Sequence, residues 1–245
     1  MNPKDRHGVR GLILTGGLGV RLRPLTLTIP KPLLPLGDTT PVIEVLIRRL
    51  VSADIHIIHI ALGYLGRLLR AYLETMPNLG ARCELHQEKT PLGTAGPLAL
   101  IPKDISSVVV CNGDILTDLN FRTLLKAHRA SRADMTVVGV DHVVKIPYGS
   151  LTLHKGRRLR EWNEGHCLRR LVSGGIYVVN RTVMDMVKRE SRVDMPDLVR
   201  HCVKKRKEVR VFKHEGIWFD IGNMSQYESA SAAFTRSPRH FIPKQ

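Results

Sequence analysis

Residues 12–36 read LILTGGLGVRLRPLTLTIPKPLLPL. An apolar run ends at Leu14 and feeds Thr15-Gly16-Gly17-Leu18-Gly19, a turn with so little side-chain bulk that its backbone N–H groups stand open to anionic oxygens. Arg21, Arg23 and Lys31 then add fixed positive charge. Pro24, Pro30, Pro32 and Pro35 prevent an α-helix from following directly, so the segment is expected to be an extended loop. Two familiar phosphate motifs do not fit. The P-loop requires Gly-Lys-Ser/Thr, whereas Gly19 precedes Val20 and Arg21, and Leu22 replaces the third glycine of the dinucleotide fingerprint.

Outward from this stretch, short apolar runs alternate with helical periodicity across the chain. Strands are expected at 11–14, 55–61, 83–87, 108–112, 135–140, 176–179 and 209–212. Helices are expected at 42–50, 65–73, 121–130, 183–188 and 224–234. That alternation predicts an α/β fold, a Rossmann-like, mainly parallel open sheet flanked by helices. Ligands of such sheets lie beyond the carboxyl ends of the strands. The glycine turn after Leu14 and Asp114, just after the 108–112 run, both fall at such ends.

At 245 residues and 43% hydrophobic content, one sizeable core is expected, in a single domain over 1–245. The polar start, Met1 to His7, and the shortness of the apolar runs predict a cytoplasmic protein with no membrane partner. Cys83, Cys111, Cys167 and Cys202 have neither zinc-ligand nor disulfide-framework spacing and are expected to be reduced and mostly buried. The net charge of +16 gathers partly at Arg157-Arg158-x-Arg160, Arg169-Arg170 and Lys204 to Lys207. With no interleaved aromatics, these read as solvated faces rather than a specific nucleic-acid surface.

The glycine turn, Arg21-Leu22-x-Pro24-Leu25-Thr26 and Pro30-Lys31-Pro32 form a specific composite. With it the chain resembles the sugar-nucleotide pyrophosphorylases, which join a nucleoside triphosphate to a sugar 1-phosphate. Pro91-Leu92-Gly93-Thr94-Ala95-Gly96-Pro97-Leu98, Asn112-Gly113-Asp114, Pro147-Tyr148-Gly149, Gly175-Ile176-Tyr177 and Trp218-Phe219-Asp220-Ile221-Gly222 continue the family's order. The Pro91–Leu98 string and residues 23–33 look most like mannose-1-phosphate guanylyltransferases.

The resemblance implies a GT-A-like nucleotidyltransferase fold, with a nucleotide-binding half over about 1–120 and a sugar-binding half over about 121–245. It implies that Arg21 and Lys31 are catalytic cations on the β- and γ-phosphates, and that Asp114 and Asp220 are ligands of Mg²⁺, with Asp114 also catalytic. A turn aspartate is the competing reading of Asp114. Leu14, Gly16, Gly17, Gly19, Val20, Glu88, Pro91, Gly93 and Thr94 are the implied nucleotide contacts. Gly149, Glu164, Ser173 and Gly175 are the implied sugar contacts. Because a sugar phosphate oxygen is already ionised at neutral pH, the chemistry needs positioning and charge neutralisation rather than a general base.

Base choice turns on Glu88, which stands where uridylyl- and thymidylyltransferases of the family carry Gln. A carboxylate accepts only, and guanine offers an adjacent N–H and NH₂, so GTP is the expected nucleotide; Gln87 as reader of the base is the alternative. The family pattern breaks at Gly165 and His166, in place of Lys and Pro, at Ser173 in place of Asn, and at Val20 in place of Thr. These departures leave the sugar open among mannose-, heptose- and cyclitol-like 1-phosphates. They also leave open a UTP- or dTTP-dependent glucose-1-phosphate enzyme and a catalytically silent regulatory relative. The expected partners are the two substrates, with homo-oligomer formation left open.

Overall fold

The computed structural model describes residues 8–242; the polar Met1–His7 stretch lies outside the described residues. Seven strands form one sheet in the order Val209–His214, Met135–Lys145, Cys167–Asn180, Ser107–Asn112, Arg10–Thr15, Ile57–Leu62, Arg82–Gln87. Every neighbouring pair is parallel except those made by Cys167–Asn180, which runs antiparallel to both its neighbours. From Arg10–Thr15 the chain moves outward through Ile57–Leu62 to Arg82–Gln87, then returns to the other side at Ser107–Asn112. The strand order therefore reverses between Thr15 and Asn112, the place where an open α/β sheet leaves a crevice at its carboxyl edge.

Alternation along the strands divides the core between two faces. Ile13, Ile58, Ile60, Val109 and Cys111 meet Ile43, Leu46, Leu50, Leu69 and Phe121 from the helices Val42–Val51, Gly66–Thr75 and Phe121–Ala130. On the opposite face Leu12, Ala61, Val108 and Val110 meet Leu98, Ile101, Val183, Met195 and Leu198. A third apolar cluster joins Leu22, Leu34 and Leu36 of the proline-rich loop to Leu116, Ile221, Phe234 and Phe241. The proline-rich loop thus rests on its own small core, beneath the carboxyl edge of the sheet.

Several local expectations change. Residues 20–33 are not extended but form three 3₁₀ turns, Val20–Leu22, Leu25–Leu27 and Lys31–Leu33, whose i→i+3 bonds tolerate the intervening prolines. The helix expected at 183–188 is only Arg181–Met184, which ends in a cap at Asp185. A helix at Met195–Lys204 was missed, although Asp194 at its N-cap and Pro196 in its first turn are start signals. Met135–Lys145 and Cys167–Asn180 outrun their expected strands, forming an exposed arm that continues into the hairpin Ser150–Leu153/Leu159–Asn163. Cys167 lies exposed on that arm and Cys83 is half-buried, so two of the four cysteines depart from the expected burial. Among the described residues, no helix is long and apolar enough to cross a membrane.

His128 closes the helix Phe121–Ala130 against the sheet: its Nδ1 meets Thr136 Oγ1 at 2.7 Å and its Nε2 meets Asn180 Oδ1 at 2.9 Å. Burial lowers its pKa, an effect partly opposed by Asn180. A histidine whose folded pKa is depressed supports stability above its unfolded value, near 6.5, and that support is lost as pH falls. The urea midpoint is therefore expected to drop between pH 7 and pH 5, roughly the unfolded-state titration range, with a shallower drop in His128→Gln. Equal slopes for the two proteins would refute the assignment.

Candidate functional site

The Arg10–Thr15 strand is fixed at its end by Thr15, whose hydroxyl donates to Ala61 O at 2.6 Å. Gly63 on the neighbouring loop is crossed so closely that a Cβ there would come within 2.5 Å of the Gly16 Cα. This close approach leaves Gly16 and Gly17 exposed at the mouth of the crevice, with open space above them. Gly19 takes a left-handed conformation, φ 62°, and its carbonyl accepts from the Thr26 hydroxyl at 2.7 Å. That bond explains the threonine in Arg21-Leu22-x-Pro24-Leu25-Thr26: it folds the loop back so that Arg21 and Lys31 return toward the sheet.

The second wall comes from Asn112-Gly113-Asp114. Gly113 N–H donates to Leu14 O at 2.8 Å, stitching this turn to the end of the first strand. The short strands Ile115–Thr117 and Trp218–Asp220 then pair antiparallel, setting Asp220 opposite Ile115, and Ile221 N–H donates to Asp114 O at 2.9 Å. Two aspartates far apart in the chain therefore become neighbours. Trp218 donates its indole N–H to Gly174 O at 2.9 Å and packs against the main core, which holds this ladder in place. Beyond Asp220, Asn223 Oδ1 caps the helix Met224–Arg236 through Gln226 N–H at 3.0 Å, while Gln226 Oε1 accepts from Gly222 N–H at 3.1 Å.

Lys31 Nζ forms an ion pair with Asp114 Oδ2. The other oxygen, Asp114 Oδ1, is buried with no hydrogen-bond partner. Burial raises the Asp220 pKa and the Asp114 carboxylate raises it further, against the pull of Lys31 and Arg21. The Arg21 guanidinium reaches the same corner, since a Cβ on Gly222 would lie 3.2 Å from Arg21 Nη2 and 3.3 Å from Asp220 Oδ2. Two carboxylates and two cations thus converge at the carboxyl edge of the sheet, and burial together with the repulsion between the acids outweighs the pull of Lys31 and Arg21 on Asp220.

A cleft of about 270 Å³ opens beside them. Leu14, Gly16, Gly17, Asn112 and Asp114 form one side, and Glu88, Pro91, Gly93 and Thr94 the other. Of the residues expected to meet a nucleotide, Gly19 and Val20 stand outside this lining, as do the two cations Arg21 and Lys31 expected on its phosphates. Burial raises the Glu88 pKa, and the Leu92 N–H, donating to its Oε2 at 3.1 Å, draws it partly back. Gln87 turns elsewhere, donating its amide to Leu62 O at 3.1 Å. The 91–98 loop is moored by residues the sequence reading did not single out: Thr94 N–H donates to Asp194 Oδ1 at 3.2 Å, and Ala95 N–H to Val193 O at 2.8 Å. A more open hollow of about 850 Å³ lies at the outer edge of the sheet beside His56 and Met76, away from all these groups.

The expected sugar contacts divide. Gly175 lies directly against the carboxamide of Asn112, which lines the cleft, and Ser173 Oγ meets the Tyr177 hydroxyl at 2.9 Å. Gly149 and Glu164 sit together on the exposed hairpin, where the Trp162 indole covers Gly149 and donates to Glu164 Oε1 at 2.6 Å. Arg169 and Arg170 are exposed on the arm in register with Val143 and His142.

The Nucleotidyl transferase family matches residues 10–237. The mannose-1-phosphate guanyltransferase of Schizosaccharomyces pombe is 30% identical over 246 residues, covering 96% of this chain and 67% of that protein. That of Saccharomyces cerevisiae is 31% identical over 251 residues, covering 97% and 68%. That of Gibberella zeae is 31% identical over 239 residues, covering 94% and 65%. The chain therefore spans about two thirds of the length of these relatives. Crystal structures of HddC from Yersinia pseudotuberculosis share the fold: one has a TM-score of 0.70 at 23% identity, covering 93% of this chain and 100% of that one. A second, complexed with GMP-PN, has a TM-score of 0.70 at 22% identity, covering 93% of this chain and 100% of that one.

Proposed function

The chain belongs to the nucleotidyl transferase family, and from that premise we propose that it is a Mg²⁺-dependent sugar-1-phosphate guanylyltransferase. In this reading it condenses GTP with a mannose-like 1-phosphate to give an NDP-sugar and pyrophosphate, as a single domain, with heptose and cyclitol analogues as further candidate acceptors. The observation that carries the reading is the meeting of Asp114, Asp220, Lys31 and Arg21 beside a cleft walled by the glycine turn and Glu88.

The ionised oxygen of the sugar phosphate attacks the α-phosphorus, forming one P–O bond while the bond to the β-phosphate breaks and pyrophosphate departs. No residue need remove a proton. Gly16 and Gly17 present unobstructed backbone to the phosphates, and Lys31 and Arg21 offset charge on the leaving end. The acidic pair fits a hard divalent ion, because both donors are oxygen, Asp114 Oδ1 is buried without a partner, and the two acids repel. Asp114 and Asp220 would hold Mg²⁺, which when bound neutralises phosphate charge and polarises the phosphoryl group. Glu88 reads the base through its acceptor oxygens, with Leu92 N–H fixing the orientation of its carboxylate.

Pyrophosphate release with each of the four triphosphates, against a panel of sugar 1-phosphates and Mg²⁺, tests the reading. GTP with a mannose-type phosphate is the expected pair. Exclusive turnover of dTTP or UTP would overturn the base assignment. Glu88→Gln is expected to lower kcat/KM for GTP by about 10- to 100-fold, the worth of a hydrogen bond to a charged group, with a smaller effect on the pyrimidine triphosphates. An equal loss for all four would show that Glu88 shapes the loop without reading the base.

A further inference from the structure

A second cluster of ligating side chains lies in the outer half of the sheet, on Ile57–Leu62 and Arg82–Gln87. Register places His59 opposite Glu84, and His86 follows two residues later on the same face of its strand. His59 Nδ1 stands 2.9 Å from His86 Nε2 and 3.4 Å from Glu84 Oε2. One ligand atom from each of the three side chains falls within a 4.8 Å span. We propose that His59, Glu84 and His86 form a binding site for a borderline-soft divalent transition metal, Zn²⁺ by preference.

The geometry needs little adjustment. A tetrahedral Zn²⁺ with bonds of 2.0–2.1 Å holds its ligand atoms about 3.3 Å apart, close to the two separations from His59 Nδ1, with the third pair within 4.8 Å. Two imidazoles and one carboxylate are a donor set for zinc, cobalt or nickel, whereas Mg²⁺ and Ca²⁺ prefer oxygen alone. This separates the cluster chemically from the Asp114–Asp220 pair. His59 is 1% exposed, while Glu84 and His86 are half-buried, which leaves the fourth position open to water on the outer side. Arg82 pairs with the other Glu84 oxygen, Oε1, at 3.2 Å, leaving Oε2 facing the rings. A simple hydrogen bond between the two rings is the competing account; it engages the same Nδ1, and His59 Nε2 is buried without a partner under either account. A bound ion would tie the outermost strand to its neighbour two residues before Glu88, where the chain enters the cleft.

Tag-free protein, stripped with a chelator, would be titrated with Co²⁺ and followed by visible absorption. One equivalent per chain is expected, displaced by Zn²⁺ but not by Mg²⁺. His86→Ala and Glu84→Ala should each weaken Co²⁺ binding by at least about tenfold, while His56→Ala, on an exposed neighbouring histidine, should leave it unchanged. His86→Asn, which keeps a polar side chain, covers the case in which the alanine variant misfolds; Zn²⁺ should raise Tm in the wild type and not in this variant. Absence of the Co²⁺ band, or equal affinity in the wild type and His86→Asn, would overturn the site.

Discussion

Asp114→Asn is expected to lower pyrophosphate release by on the order of 10³-fold, the scale on which removal of one electrostatic contact to a reacting phosphate acts. The side chain does two things in the structure: Oδ2 pairs with Lys31, and Oδ1 is buried with no partner. The amide keeps the shape and loses the charge. Stability should change little, because Asp220 still faces Lys31, and relief of the repulsion that raises the Asp220 pKa offsets the lost ion pair. Activity and stability therefore separate in this variant, which distinguishes a working carboxylate from a turn aspartate. The measurement is single-turnover pyrophosphate release alongside a urea denaturation curve. Wild-type turnover would remove Asp114 from the chemistry; a large fall in midpoint would return it to a structural role.

The second large effect is expected at Arg49, on the helix Val42–Val51, where sequence reading saw only a helical face. Its side chain is almost fully buried, and its guanidinium donates to the carbonyls of Asp118, Leu119, His240 and Phe241, with distances of 2.8 Å to His240 O and 2.8 Å to Leu119 O. Burial lowers its pKa and nearby Asp118 opposes that shift. These bonds hold the last described helix, Pro238–Phe241, against the cluster that also contains Leu22 and Ile221, immediate neighbours of Arg21 and Asp220. Arg49→Met leaves several buried carbonyls without donors and should cost about 3–5 kcal/mol, a fall in Tm of about 6–20 °C for a chain of this size. Arg49→Lys should recover a minor part, since one ammonium cannot reproduce the planar fork. A thermal scan showing Arg49→Met within a degree or so of wild type would refute the clamp.

The glycine turn, Arg21 and Lys31, and the two aspartates could be singled out because each lies in a local string marked by the family resemblance, and the structure brings them to one corner. The parallel sheet was legible for a related reason: buried strands such as Ile57–Leu62 are apolar on both faces. What depends on register was not. The His59–Glu84 opposition arises from the alignment of two strands that no local pattern reveals. Arg49 looked like any charged residue in an amphipathic helix, and its carbonyl partners lie up to 192 positions away. The arm beyond Val140 escaped detection because its residues are exposed and mixed in polarity, so burial imposes no alternation there. At 183–188 an apolar spacing suggested a full helix, yet Arg181–Met184 ends after four residues.

Asp220 meets Asp114 through a ladder of two three-residue strands, Ile115–Thr117 and Trp218–Asp220, that stand far apart in the sequence. During synthesis the glycine bend, the cationic loop and the first acid all emerge well before the second acid. A nascent or prematurely terminated chain can thus display every early motif while lacking the paired acids. On the proposed reading, a polypeptide cut between Thr117 and Trp218 keeps the glycine bend and both cations but loses the partner acid, and it is expected to hold a triphosphate with Mg²⁺ more weakly than one that reaches Asp220.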